Sequence, residues 1–219
     1  MNKCDSKRKV LFLIESLHGG KAAKALATLV QYIDKTKFDV TVCAITGGGK
    51  YESTISENVN YKAILKDGAR GTKYSLVYKR LPMSMVYKMF VPQGNDVEIA
   101  YTEGFATKLL SNSSNSKAKR YAWVHTDLYS NHWTKEVFSS EKEETKVYNQ
   151  YDKIIGFADL ICNAFKKRFP EVVKPVETIY DPVDSLSVRL KSLNASSEEE
   201  HKVGVRLVAH GRLDRKSVV

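Results

Sequence analysis

From about residue 10 to about residue 180, short apolar runs alternate with stretches of helical spacing, and this alternation leaves the chain few folds. The first unit sets the pattern. Val10-Leu11-Phe12-Leu13-Ile14 is an unbroken apolar run of the length of a buried strand. Leu17-His18-Gly19-Gly20-Lys21 follows as a turn. Between Ala22 and Asp34, the residues Ala22, Ala23, Leu26, Ala27, Leu29, Val30 and Ile33 share one helical face. Further strands are expected at Phe38–Ile45, Asn60–Leu65, Asp96–Tyr101, Arg120–Val124, Lys153–Phe157 and Val176–Tyr180. Helices are expected at Phe105–Ser111, Glu136–Tyr151 and Ala158–Phe169, the last ended by Pro170. Strands alternating with helices call for an α/β fold: a parallel sheet covered by helices on both faces.

In such sheets ligands sit beyond the carboxyl ends of the strands. Three turns with useful chemistry fall there: Gly19-Gly20, Thr102-Glu103-Gly104 and His125-Thr126-Asp127. A strand, a glycine turn and a helix bring free backbone N–H groups and the positive end of the helix dipole to one point, which suits a phosphate. Lys21 and Lys24 stand in the first helical turn, where cations are unfavourable unless an anion lies in front of them. The plainer reading is a tight turn with two solvated lysines. His125 can donate to a hydroxyl or phosphate, or be oriented by a carboxylate such as Asp127; its ring can equally satisfy a loop carbonyl. Glu103 can accept from sugar hydroxyls or favour the start of the helix behind it. Arg212 follows Gly211 after the apolar run Val205–Ala209, another strand turn carrying a cation.

Two stretches read less sharply. Gly47-Gly48-Gly49 is expected to be a flexible loop rather than a second phosphate cradle, because Lys50-Tyr51-Glu52-Ser53 opens no clean apolar helix. Lys73 to Phe90 mixes basic and apolar residues around Pro82. It reads as a crossover helix with snorkelling lysines, or as a basic amphipathic surface for an anionic membrane.

Composition narrows the class. No segment approaches the ~20 apolar residues of a membrane-spanning helix. Cys4, Cys43 and Cys162 are odd in number and far apart, so neither a metal cluster nor a disulfide framework is expected, and a reducing cytoplasm fits. The net charge of +10 favours an anionic partner, but the cations are scattered and no nucleic-acid signature accompanies them. No Ser-His-Asp set, metal-ligand spacing or long glycine fingerprint is present. A non-catalytic basic module for anionic membrane or nucleic acid remains the alternative to an enzyme.

Several segments together resemble family 4 of the retaining glycosyltransferases, enzymes of the GT-B architecture with two facing Rossmann-like domains. Val10–Ile14 with Leu17-His18-Gly19-Gly20 resembles the family's first strand and Gly-Gly loop. Asp96 to Gly104, Trp123 to Asp127, Tyr151 to Phe157, Ile179 to Asp184 and Val208 to Leu213 resemble five later segments, in the same order. The resemblance implies a Rossmann-like sheet forming the N-terminal half of a GT-B enzyme. It implies sugar transfer from a nucleotide-sugar to a glycan or lipid-linked acceptor, with retention and without a required metal or cofactor. Gly19, Gly20 and Arg212 would face the donor phosphates, His125 the transferring sugar, and Glu103 and Asp127 the sugar or acceptor. Surface-polysaccharide synthesis in the cytoplasm, with peripheral contact at the inner membrane face, would be the setting. A GT-B sugar-nucleotide epimerase is a further alternative. The sequence departs from the family pattern at three places: Lys21-Ala22-Ala23-Lys24 lacks the usual acid, Ala158-Asp159 stands where a Ser is usual, and Asp181 replaces the usual Asn.

The expected organisation is an acceptor-side domain over residues 1–184, a linker over 185–202 with the acidic run Glu198-Glu199-Glu200, and the start of a donor domain over 203–213. Asp214-Arg215-Lys216-Ser217-Val218-Val219 is what GATCGGAAGAGCGTCGTG encodes, the start of a common short-read sequencing adapter. The expectation is therefore a gene fragment read into adapter and inactive, or nearly so, alone; different codons at these positions would contradict it.

Overall fold

The computed structural model describes residues 6–67 and 81–193. The chain divides after Val183 into two units, Met1–Val183 and Asp184–Val219. The first holds a seven-stranded sheet in which every pairing is parallel. Its strands are β1 (Arg8–Ser16), β2 (Phe38–Thr46), β3 (Asn60–Leu65), β4 (Val97–Ala100), β5 (Lys119–Val124), β6 (Lys153–Gly156) and β7 (Val176–Thr178). Their order across the sheet is β3-β2-β1-β4-β5-β6-β7. The helices are α1 (Lys21–Tyr32), α2 (Glu52–Asn58), α3 (Met83–Phe90), α4 (Phe105–Leu110), α5 (Glu141–Tyr148) and α6 (Asp159–Arg168). A 3₁₀ turn spans Trp133–Glu136.

The period of the strands decides how the helices are shared between the faces. Val10, Phe12 and Ile14 of β1 point to one face and pack with Leu26, Ala27 and Val30 of α1 and Ile55 of α2. Leu11 and Leu13 point to the other and pack with Val86 and Tyr87 of α3, Leu109 of α4, Tyr148 of α5 and Phe165 of α6. The sheet is thus buried on both sides, which is why its central strands read as continuous apolar runs. This is the α/β parallel sheet expected from the alternation, and the Rossmann-like sheet that the family resemblance implies.

Two local expectations are corrected. The segment after Gly47-Gly48-Gly49 does form a helix, α2. Ile55 is its one buried residue, too little apolar periodicity to register in the sequence. Glu52 holds it instead, accepting from the Gly48 N–H and from the Tyr61 hydroxyl. The single charged helix expected over Glu136–Tyr151 is a 3₁₀ turn and a separate α5, divided at Ser140. Ser140 accepts at its hydroxyl from the Glu143 N–H at 3.1 Å, and Glu143 reaches back to the Ser139 N–H at 2.6 Å, so the helix starts afresh there.

Of the Lys73–Phe90 stretch, Met83–Phe90 is helical with Pro82 at its N-cap, and residues 73–80 lie outside the described residues. In the second unit, α7 (Ser185–Leu193) begins at Asp184, which accepts from the Ser187 N–H at 2.9 Å and its hydroxyl at 2.6 Å. Residues 194–219, with the expected donor-domain start, Arg212 and the six-residue tail, lie outside the described residues.

Candidate functional site

β1 and β4 are neighbours, yet β1 leads through α1 to β2 on one side and β4 leads through α4 to β5 on the other. The connections part at this switch point and leave a crevice beyond the strand ends. A cleft of about 670 Å³ opens there, lined among others by Ser16, Gly19, Gly20, Lys21, Glu103, His125, Asp127, Trp133 and Phe157. The three turns singled out in the sequence, far apart along the chain, therefore share one cleft.

The first wall is the Gly-Gly turn. Gly20 is the N-cap of α1 at φ +92°, a backbone state that only glycine adopts without strain. No side chain caps this helix and its first turn holds no acid, so the N–H groups that α-helix geometry leaves without an intrahelical partner face the cleft mouth. A Cβ on Gly19 or Gly20 would meet nothing within 4 Å, so open space lies over the turn. The turn itself is braced from behind. Gly49, at φ +102°, lies against the backbone of Leu17 and His18 too closely for any side chain. His18 Nε2 lies 2.9 Å from Asp67. The glycine run after β2 is thus a close-packed support for the Gly-Gly turn, where the sequence suggested a flexible loop.

The second wall is the end of β4. Glu103 is buried, and its carboxylate accepts from the His125 backbone N–H at 2.9 Å, tying β4 to β5. It caps nothing: α4 begins at Gly104, without a side-chain cap. Gly104 has φ +86°, and a Cβ there would lie 2.6 Å from the Trp133 ring. The residues on either side of Trp133 are tied to a buried carboxylate. The buried Glu144 accepts from Thr134 and pairs with His132 Nε2, both at 2.7 Å, and Arg168 donates to His132 Nδ1 at 2.7 Å. Burial pushes the Glu144 carboxyl above the ordinary range, against the pull of these partners.

The third wall is the end of β5. The His125 side chain is 6% exposed. Its ring lies nearly parallel to those of Trp123 (6.2 Å between centroids, 10°) and Phe157 (5.9 Å, 13°), with Tyr101 at 5.1 Å. Asp127 does not orient it. That carboxylate accepts from the backbone N–H groups of Tyr129 and Ser130 at 3.0 Å and the Ser130 hydroxyl at 2.7 Å, closing its own turn. The Ser130 bonds hold it below the ordinary carboxylate range. The acid at the ring is Asp181, whose Oδ2 lies 3.7 Å from His125 Nδ1. Sequence reasoning passed over this residue, although its standing in place of the expected Asn was a signal.

Around the ring, buried polar atoms without hydrogen-bond partners among the described residues accumulate: both His125 nitrogens, Asp181 Oδ1, the Tyr101 hydroxyl and Thr102 Oγ1. Burial, reinforced by Asp181, pushes the Tyr101 phenol far up, so it stays a neutral donor. Buried polar groups are normally satisfied, so a cluster of orphans beside a cleft marks where a polar ligand or water fits. Among the described residues no group of three His, Cys, Asp or Glu could hold a metal ion, and no helix is long and apolar enough to cross a membrane.

No protein-family model matches the sequence, and no curated protein matches it. Solved structures do match the fold. HepE of Anabaena, in complex with UDP and glucose, superposes with a TM-score of 0.53 at 15% identity, over 86% of this chain and 50% of that one. HepE in complex with UDP-glucose gives 0.53 at 16% identity, over 85% and 49%. An α-glucosyltransferase in complex with UDP-glucose and DNA containing an abasic site gives 0.50 at 13%, over 84% and 45%. The chain spans about half the length of these structures, and at such identities the likeness establishes its fold: the Rossmann-like fold shared with GT-B glycosyltransferases.

Proposed function

We propose that the cleft at the β1–β4 switch point is the acceptor-side wall of a glycosyltransferase active site. One observation carries the reading: the Gly19-Gly20 turn, Glu103 and His125 line a single cleft of about 670 Å³. That HepE is solved with UDP, glucose and UDP-glucose supports a nucleotide-sugar as the ligand. The parts suit such a ligand. Free helix N–H groups and Lys21 meet the diphosphate. The orphaned groups around His125 meet the hydroxyls of the sugar. Stabilising the departing diphosphate would be the main catalytic contribution, and no metal is required for it. The resemblance to family 4 supports retention of configuration, and Arg212 as a second contact to the diphosphate. A glycan or lipid-linked acceptor, made into surface polysaccharide in the cytoplasm, completes the proposal. Because the chain spans about half the length of its structural neighbours, we expect weak donor binding and little or no transfer from it alone.

Calorimetry with UDP-glucose, UDP and glucose tests the reading. UDP-glucose and UDP should bind in the millimolar to high micromolar range, and His125→Ala should weaken UDP-glucose several-fold while leaving UDP nearly unchanged. Equal binding of both nucleotides by wild type and His125→Ala would contradict it.

A further inference from the structure

We infer that Asp181 is the positioning residue of His125: its carboxylate faces Nδ1 as an acceptor, which keeps the ring proton on Nδ1 and leaves Nε2 as the ring's acceptor for a ligand hydroxyl. Naming a hydroxyl rests on the proposed function; the proton placement does not. A neutral imidazole carries one N–H and one lone pair, and the partner of one nitrogen decides the role of the other. The two acids suggested by sequence are otherwise engaged, Asp127 with Tyr129 and Ser130, and Glu103 with the backbone N–H of His125. Asp181 faces Nδ1 at 3.7 Å, within ion-pair range and close enough to tighten to a hydrogen bond. A carboxylate can only accept, so its presence at Nδ1 favours the proton there. The Trp123 and Phe157 rings lie parallel to the imidazole and offer it no acceptor, so hydrogen bonding is confined to the ring edge. Nε2 is buried and has no partner among the described residues, with the orphaned Tyr101 hydroxyl on a ring centred 5.1 Å away. A hydroxyl can donate to that lone pair; a phosphate oxygen cannot.

His132 supplies the contrast within the same chain. Arg168 can only donate, so His132 Nδ1 carries the lone pair and Nε2–H donates to Glu144. The two histidines are therefore assigned opposite tautomers.

Long-range proton–nitrogen correlation on ¹⁵N-histidine-labelled protein, in mildly alkaline buffer where imidazoles are neutral, reads the tautomer directly. The His125 signals are identified by their loss in His125→Gln. In wild type they should show Nδ1–H. Asp181→Ala should move the majority to Nε2–H. Asp181→Asn, whose carbonyl accepts the same proton, should restore Nδ1–H. His132 should read Nε2–H throughout, which shows that each variant is folded. A wild-type His125 protonated at Nε2, or a tautomer unchanged by Asp181→Ala, would overturn the inference. None of these readings needs UDP-glucose to bind, so failure of the proposed function leaves a separate mark.

Discussion

Gly19 and Gly20 are adjacent and chemically identical, yet the structure asks different things of them. Gly20 sits at φ +92° and Gly19 does not have a positive φ, while both face open space. Gly20→Ala should therefore cost about 1–3 kcal/mol in urea unfolding, because the strained backbone must be held with a side chain present. Gly19→Ala should stay within about 0.5 kcal/mol of wild type. If a diphosphate lies over the turn, Gly19→Ala should still weaken UDP, which separates a binding role from a folding role. Asp127 gives a prediction in pH. Its carboxyl is held below its ordinary value by the Ser130 N–H and hydroxyl, so the folded state releases this proton more readily than the unfolded one. Its contribution is fully present above the ordinary carboxylate range of about pH 4 and is lost as pH falls through the lowered folded value. Stability measured against pH in acid should fall less steeply for Asp127→Ala than for wild type.

At the scale of elements, what was legible depended on whether an element carries its own pattern. α1 was read correctly because Leu26, Ala27 and Val30 repeat on a face that is buried against β1. Leu26, fully buried, should cost about 2–5 kcal/mol on truncation to Ala. α2 was missed because its cause lies elsewhere, in Glu52 reaching Gly48 and Tyr61. The break before α5 was missed because charged residues flank the short stretch Val137-Phe138-Ser139-Ser140 on both sides; the signal was Ser140 with Glu143 three residues later. Ser140→Ala should lower stability by about 0.5–2 kcal/mol, read as an earlier urea midpoint with an unchanged slope. The same distinction applies at the site. Strand ends are local, so Gly19, Gly20, Glu103, His125 and Asp127 could be picked out one by one. Partners across the fold are not local: Asp181 at His125, Trp133 on Gly104 and Asp67 on His18 join residues 56, 29 and 49 positions apart in sequence.

At the scale of the whole molecule, topology turns scattered residues into a site. The order β3-β2-β1-β4-β5-β6-β7 places the switch between β1 and β4, and the walls of the cleft are the ends of β1, β4 and β5. Other hollows lie at the amino ends of the strands, among them one lined by Lys7, Asp39 and Asn60. The doubly wound fold favours the carboxyl ends for ligands, because helix N-termini point there. The central claim is thus about place: a nucleotide-sugar belongs at one rim. The most direct test is a backbone amide shift titration of ¹⁵N-labelled protein with UDP-glucose. The account predicts shifts concentrated at Gly19, Gly20, Lys21, Glu103 and His125, saturating at millimolar donor, with Lys7, Asp39 and Asn60 unmoved. No shifts at millimolar donor, or shifts centred on the opposite rim, would contradict it.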